Sequence, residues 1–274
     1  MRFSIQGFVR SGLLRGAIFG LAIIVLGACS SDKKPYVERP VETLYNDAMN
    51  QMNSGDYDAA AKAFDEVERQ HPYSVWAVRA QLMSAYAFYL ANKYDEAIIS
   101  LDRFIQLHPS NRDIAYAHYL KALCYYEQIS DIQRDQKMTR LALESLKELI
   151  VRFPSSKYAR DAQVKLDLTF DHLAGKEMDI GRYYLNRGQY LAAINRFRNV
   201  IEHFQTTTHV PEALLRLTEC YLAIGVVDEA KKTAAVLGHN FPGSVWYADS
   251  YRLLKGKNVK FDGAEPKKPW YWPF

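Results

Sequence analysis

Five segments of this chain repeat one another, and that self-similarity restricts the fold more than any other feature. They read YDAAAKAFDEVERQHP (57–72), YDEAIISLDRFIQLHP (94–109), TRLALESLKELIVRFP (139–154), YLAAINRFRNVIEHFQ (190–205) and VDEAKKTAAVLGHNFP (227–242). An alanine recurs at Ala60, Ala97, Ala142, Ala193 and Ala230. Four residues on stand Phe64, Leu101, Leu146, Phe197 and Ala234, and three beyond those Val67, Phe104, Leu149, Val200 and Leu237. Steps of four and three lay one apolar face along a helix. A ring follows at His71, His108, Phe153, Phe204 and Phe241; proline comes next in four of the five, with Gln205 in its place in the fourth. The stretches after these prolines repeat as well. Eight residues on are Ala80, Ala117, Ala162 and Ala213; fifteen on are Ala87, Cys124, Thr169 and Cys220; sixteen on are Phe88, Tyr125, Phe170 and Tyr221. The small residues let helices approach, and the aromatics fill the space between them.

The unit is helix, turn, helix, proline. It resembles the tetratricopeptide repeat, whose period is about 34 residues. Spacings between equivalent alanines are 37, 45, 51 and 37. The 37 implies slightly lengthened helices or loops. The 45 contains an insertion around ISDIQRDQK (129–137), and the 51 implies either long fourth-repeat helices or an extra turn near AGKEMDIG. The expected architecture is all-α: a superhelix of five helix-turn-helix repeats, about 40–72, 73–109, 110–154, 155–205 and 206–242. Residues 40–53 supply the first helix, and SVWYADSYRLLKG (244–256) closes the array. No repeat buries its apolar face alone, so the units stack and leave a concave groove.

The amino terminus is of another kind. Residues 1–16 carry Arg2, Arg10 and Arg15 and no acid, and AIFGLAIIVL (17–26) is apolar. A basic stretch before a short apolar one is the pattern of a secretory signal peptide. Even from Gly16 to Ala28 the run has 13 residues, whereas a membrane span needs about 20. Leu26-Gly27-Ala28-Cys29 resembles the bacterial lipobox. The resemblance implies diacylglycerol on the Cys29 thiol, removal of residues 1–28 and a further amide-linked acyl chain. Two or more chains anchor stably where one is marginal. Position 30 is Ser rather than the Asp that resembles an inner-membrane retention signal, which points to the inner, periplasm-facing leaflet of the outer membrane. Residues 29–39 then form a lipidated polar tether.

Removing residues 1–28 from the 274 leaves 246, enough for an extended repeat array. Taking three leader arginines from the 35 bases leaves 32 against 31 acids. This near balance gives no reason to expect a nucleic-acid partner, which calls for a basic patch or stripe. Cys124 and Cys220 occupy equivalent slots two repeats apart. A disulfide needs Cα atoms within about 7 Å, so both are expected as buried free thiols.

Nothing in the sequence reads as an active site. A Gly-rich phosphate loop, H-E-x-x-H, G-x-S-x-G and CxxC are all missing. His71 and His108 share a slot that elsewhere holds Phe, which makes them ring fillers. Asp95-Glu96 and Asp228-Glu229 recur at the start of second helices, where the helix dipole favours acids. The chain is therefore expected to be no enzyme and to need no cofactor or metal beyond the covalent lipid. By repeat register the groove-facing polar positions are Gln81, Ser84, His118, Lys121 and Gln163, or else these form only a solvated face. Extended peptides bind such surfaces through backbone hydrogen bonds and a few side-chain pockets.

A lipobox followed by five lengthened repeats resembles the BamD family, lipoproteins of the β-barrel assembly machinery of Gram-negative outer membranes. The matching stretches are GDYDAAAKAFDEVERQHPYSVWAVRAQ, YLANKYDEAIISLDRFIQLHPSN, YAHYLKALCYYEQISDIQRDQ and GRYYLNRGQYLAAINRF, within about residues 36–256. The resemblance implies a non-enzymatic scaffold docking on the POTRA domains of the barrel partner, BamA. It also implies accessory lipoproteins at the C-terminal repeats and unfolded outer-membrane proteins received at the N-terminal ones. In the INRF of repeat four it implies that Arg196 meets an acidic POTRA surface, unless Arg196 is an ordinary surface arginine. A pilotin-like or cell-wall-coordinating tetratricopeptide lipoprotein would share the groove and the anchor with a different partner. The tail, residues 257–274, ends in EPKKPWYWPF, where Pro266, Pro269 and Pro273 forbid a regular helix or strand. It is either a flexible end or a short aromatic anchor for a partner or the membrane face.

Overall fold

Helices follow the repeated apolar slots along the whole array. The computed structural model describes residues 38–260 and 263–265. The leader, Cys29, most of the tether and residues 266–274 lie outside the described residues. Five pairs run in order: α1 (Val41–Asn53) with α2 (Tyr57–Gln70), α3 (Val75–Leu90) with α4 (Tyr94–Leu107), α5 (Ile114–Tyr126) with α6 (Lys137–Arg152), α7 (Ala159–Asn186) with α8 (Tyr190–His203), and α9 (Val210–Ala223) with α10 (Val227–Asn240). A last helix, α11 (Val245–Gly256), follows. The described residues contain no strand. Each helix packs on its neighbours in sequence, and first helices also touch across repeats, as α1 does α3 and α9 does α11.

The core is a row of clusters rather than one centre. Phe64, Leu101, Leu146, Phe197 and Ala234, one slot in five repeats, are all fully buried. Ala80, Ala117, Ala162 and Ala213 are too. Cys124 and Cys220 are buried free thiols in separate clusters. Burial pushes both up to about 12, so both stay protonated and inert. The ring slot has a backbone role as well. His71, His108, Phe153, Phe204 and Phe241 are the C-caps of α2, α4, α6, α8 and α10, each with its N–H on the carbonyl four residues back. Their φ values, −128° to −133°, leave the helical region, as a residue before proline must. Gln205 follows the same geometry at Phe204 without the proline, so the ring and the cap set the turn.

Two turns reuse one chemistry. In HPYS Ser74 caps α3 through the Ala77 N–H at 3.0 Å, and in FPGS Ser244 caps α11 through the Tyr247 N–H at 3.1 Å. Where first helices turn into second ones, Gly55, Asn92, Gly188 and Gly225 all have φ between 58° and 82°, a region that favours Gly and Asn.

The 51-residue spacing resolves into a long helix: α7 runs 28 residues, with AGKEMDIG inside it. The 45-residue spacing holds a folded loop between α5 and α6. The buried Gln136 closes it, its side-chain amide donating to the Asp131 and Arg134 carbonyls at 3.1 Å each. Ile132 of this loop lies against Gly175 of α7, beside His209. Further along α7, a Cβ at Gly181 would fall 2.5 Å from a ring carbon of the buried Phe197, so this close crossing of α7 and α8 requires glycine.

Candidate functional site

The helix pairing decides which first-helix side chains are left for a ligand. Nine residues after the proline, Gln81 and His118 turn toward the C-cap ring of their own repeat. Gln81 donates to Glu68 on α2 at 2.6 Å and bonds the His108 ring at 2.9 Å. His118 packs on Phe153 at 5.3 Å between centroids, with Nδ1 3.8 Å from Glu148. Twelve residues after the proline, Ser84 is buried, and Lys121 donates to Asp102 on α4 at 2.6 Å. The expectation that these residues face a groove is corrected for Ser84 and His118, only 1% and 5% exposed; Gln81 and Lys121 stay half-buried, with polar atoms bonded to second helices. Gln163 alone lies on the open surface, donating to Asp167 along its own helix at 3.0 Å. Burial pulls the His118 imidazole below its ordinary range, more strongly than Glu148 raises it.

The open face lies one notch around the helix. A cleft of about 340 Å³ has Phe104 on its floor and is walled by Tyr45 of α1, by Val78, Arg79, Leu82 and Met83 of α3, and by Arg112 ahead of α5. Tyr45 packs on Trp76 at 4.8 Å and on Phe64 at 5.4 Å. Arg79 sits over the Trp76 ring at 5.7 Å and forms no ion pair among the described residues, whereas Arg112 pairs with Asp113 at 3.2 Å.

A row of tyrosines continues the same surface. Tyr86 meets Tyr116 at 6.5 Å, Tyr116 meets Tyr158 at 5.4 Å, and Tyr119 stacks on Tyr158 at 5.0 Å. The Tyr119 hydroxyl donates to Asp161 at 2.5 Å. Burial raises the Tyr116 and Tyr119 phenols, and the nearby Asp161 adds to this at Tyr119. Burial also pushes Tyr89 up to about 12. Lys165 and Tyr119 together hold the Asp161 carboxyl below the usual range. The phenols therefore remain neutral donors. Aromatic walls with neutral hydroxyls and an uncommitted guanidinium suit an extended chain that offers apolar side chains and backbone carbonyls. Sequence reasoning passed over Tyr45, Leu82 and Met83, because apolar residues at helical spacing read as core, and over Arg79, which nothing local sets apart from other surface arginines.

The second place of interest is on α8. Arg196 adjoins the buried Phe197 and is 42% exposed, with Nη1 donating to Glu177 of α7 at 3.1 Å. The pair borders a shallow cleft of about 400 Å³ with Tyr184, Asn195, Arg198 and Glu202. Among the described residues, no group of three or more His, Cys, Asp or Glu side chains is placed to hold a metal ion.

Known proteins resemble this chain in sequence. A family model described as "YfiO: Outer membrane lipoprotein" matches residues 37–237. The outer membrane protein assembly factor BamD of Caulobacter vibrioides is 52% identical over 251 residues, covering 90% of this chain and 82% of its own. That of Rickettsia prowazekii is 49% identical over 85% of this chain and 93% of its own. That of Neisseria meningitidis serogroup A is 35% identical over 84% of this chain and 92% of its own. Among solved structures, the tetratricopeptide domain of P58(IPK) aligns with 80% of this chain and 57% of its own at TM-score 0.41 and 16% identity. With a family model matched along most of the array and long relatives near half identity, this chain belongs to the YfiO (BamD) family of outer membrane lipoproteins.

Proposed function

We propose that this chain is an assembly factor for outer-membrane proteins and works by binding rather than catalysis. Lipid on Cys29 holds it at the periplasmic face of the outer membrane. The first-helix face of its N-terminal repeats receives unfolded outer-membrane proteins, and its C-terminal half docks on the POTRA domains of a BamA-like barrel protein beside accessory lipoproteins. The observation that carries the reading is the cleft of Tyr45, Arg79, Leu82 and Met83, with Arg112 and Asp113 paired at its edge, an open aromatic surface with one guanidinium that pairs with no acid among the described residues. Assembly factors named BamD at 52% and 49% identity support the same class.

A photo-cross-linking residue placed at Leu82 in cells, read by mass spectrometry, tests the groove. Adducts with unfolded barrel proteins are expected; adducts only with secretin, pilus or cell-wall proteins would overturn the assignment. The docking half needs its own test, because Arg196 already has an internal partner. Arg196→Glu would set two carboxylates side by side at Glu177 and perturb α7 against α8. The cleaner pair is Arg196→Ala and Glu177→Gln. If Arg196 serves a POTRA surface, Arg196→Ala lowers copurification of the barrel partner and Glu177→Gln, which frees the guanidinium, does not. Equal loss in both would make the ion pair a brace between helices.

A further inference from the structure

First helices stack on one another unevenly along the array. α1 lies against α3, α3 against α5 and α9 against α11, but α7 makes at most a marginal backbone contact with α5 or α9. Its 28 residues serve two clusters in turn. Ala162 and Leu166 pack with Leu146 and Leu149 of repeat three, whereas Ala174 and Met178 pack with Phe197 and Leu214 of repeats four and five. The changeover falls on a stretch that bends easily. The Thr169 hydroxyl donates back to the Lys165 carbonyl at 2.7 Å, a bond that competes with the helix ladder and often bends it. Gly175, soon after, is a weak helix former. Left to itself, this stretch would be a joint between the two parts of the array.

Two segments clasp it. The first is the insertion between α5 and α6, which is tied within itself: Gln136 closes it, and the buried Thr139 hydroxyl fixes Gln136 in turn, donating to its Oε1 at 2.8 Å. This loop reaches α7 through the Gln133 carbonyl, which accepts from the Lys176 ammonium at 3.2 Å, and through Ile132. The second is the turn ahead of α9. Thr208 gives both its N–H and its hydroxyl to Asp171, at 3.1 and 2.8 Å, and His209 Nε2 stands 3.6 Å from the same carboxylate. The two segments meet at Gly175, where a Cβ would lie 3.3 Å from His209 Nε2 and 3.7 Å from Ile132 Cγ2. In a repeat array each unit meets only its neighbours. Here residues 171–176 of repeat four gather side chains from repeats three and five onto about two turns of one helix. The short Gly and Asn turns of the other repeats have no counterpart of Ile132 and Gln133, so this link exists only because of the insertion.

We propose that the insertion after α5 and the turn ahead of α9 form a brace on residues 171–176, which fixes the angle between repeats one to three and repeats four and five and so presents the two ends of the array in one orientation. The test is the distance distribution between spin labels, read by pulsed electron paramagnetic resonance. It uses the chain from residue 29 with Cys29→Ser, in which Cys124 and Cys220 stay buried and unlabelled. Labels go on Glu144→Cys of α6 and Ala235→Cys of α10, both exposed. The parent should give one narrow distance. Ile132→Ser with Lys176→Met cuts the insertion from α7 and leaves the Gln136 bonds in place; Asp171→Ala cuts the turn. Either cut should broaden the distribution, and the two together should broaden it further. A control pair, Lys62→Cys with Glu144→Cys inside the first three repeats, should keep the parent's width throughout. All three substituted side chains are only half-buried, and melting curves near the parent's check that the fold persists; if the double variant melts early, Lys176→Met alone replaces it. A distribution that is already broad in the parent, or unchanged by both cuts, would overturn the proposal and leave these contacts as local packing. Equal broadening of the control pair would overturn it too, because the insertion would then hold repeat three together rather than set an angle.

Discussion

The first helices of the two ends of the array use the same register slots for opposite purposes. On α3 the slots at 79, 82, 83 and 86 hold Arg79, Leu82, Met83 and Tyr86; on α9 their equivalents are Glu212, Leu215, Arg216 and Glu219. The α3 side chains wall a cleft or join the tyrosine row. The α9 side chains are taken up internally. Arg182 of α7 bonds Glu212 at 3.0 Å, Arg216 reaches Glu212 at 3.4 Å and Glu219 at 2.9 Å, and the Arg216 guanidinium lies over Trp246 at 5.9 Å. Leu215 is only 3% exposed. One backbone design therefore yields an unspent aromatic face at one end and a closed ionic lattice at the other. A repeat scaffold sets where side chains point; whether a face binds depends on whether those side chains already satisfy each other.

The largest effect is expected where the closed end is tightest. Phe197 is fully buried and fills the gap that Gly181 leaves between α7 and α8. Phe197→Ala should cost about 3–5 kcal/mol in a urea titration. Because each repeat touches only its neighbours, hydrogen exchange should rise in α7–α10 and stay near the parent in α1–α4. Uniform loss of protection would mean that the ends are not independent, and the comparison would fail.

Next comes the lattice itself. Glu212 is 13% exposed and serves two arginines that are 36% and 27% exposed. Glu212→Gln leaves Arg182 without its counter-charge and Arg216 with Glu219 alone. A fully buried pair broken this way costs about 3–5 kcal/mol, and partial exposure brings the expected loss here to about 2 kcal/mol. A change within about 0.5 kcal/mol in the denaturant midpoint would show that solvent already screens the network.

A smaller effect is carried by pH. His118 is buried, its pKa is lowered in the folded chain, and its Nε2 has no hydrogen-bond partner among the described residues. The unfolded chain takes up a proton near the ordinary value of about 6.5, and the folded one resists until the pH is lower. Stability from this residue is thus present above about pH 6.5 and lost as pH falls through the window beneath it. His118→Leu, copying the buried Leu214 of the same slot, should flatten the fall in melting temperature below that point. An unchanged slope would place the pH dependence elsewhere.

These residues also show how much was legible in the sequence. The slots of Ala60, Phe64 and Val67 announced their burial by recurring five times with the right size, since burial constrains volume alike in every repeat. The burial of Ser84 and His118 was not legible for a related reason. Gln81, His118 and Lys121 are polar and look solvated, yet their partners stand 13 to 27 residues away at Glu68, Asp102 and His108, or beyond at Phe153, and no local pattern reports them. The cleft residues were hidden by the reverse error, because Leu82 and Met83 resemble core. One readable signal was overlooked. Gly55, Asn92, Gly188 and Gly225 each stand five residues before the repeat alanine and mark the left-handed turn. Repeat three has Lys137 there instead, at the start of α6, because its insertion replaces the turn.

The smallest stability effect should accompany the largest functional one. Arg79 is exposed, pairs with no acid among the described residues and rests over Trp76. Arg79→Ala removes one cation–π contact, worth about 0.5–1 kcal/mol at an exposed site, so the melting curve should barely move. If the open face is a receptor for unfolded barrel chains, the same change removes a guanidinium that pairs with no acid among the described residues. Affinity for a labelled apolar, strand-derived peptide should then fall several-fold, while Glu212→Gln, which costs more stability, leaves it near the parent value. The opposite pattern, with binding indifferent to Arg79 and lost with Glu212, would mean that the ionic lattice opens to take the ligand. The aromatic cleft would then be a consequence of packing tyrosines between helices, and the receiving surface would belong to the other end of the array.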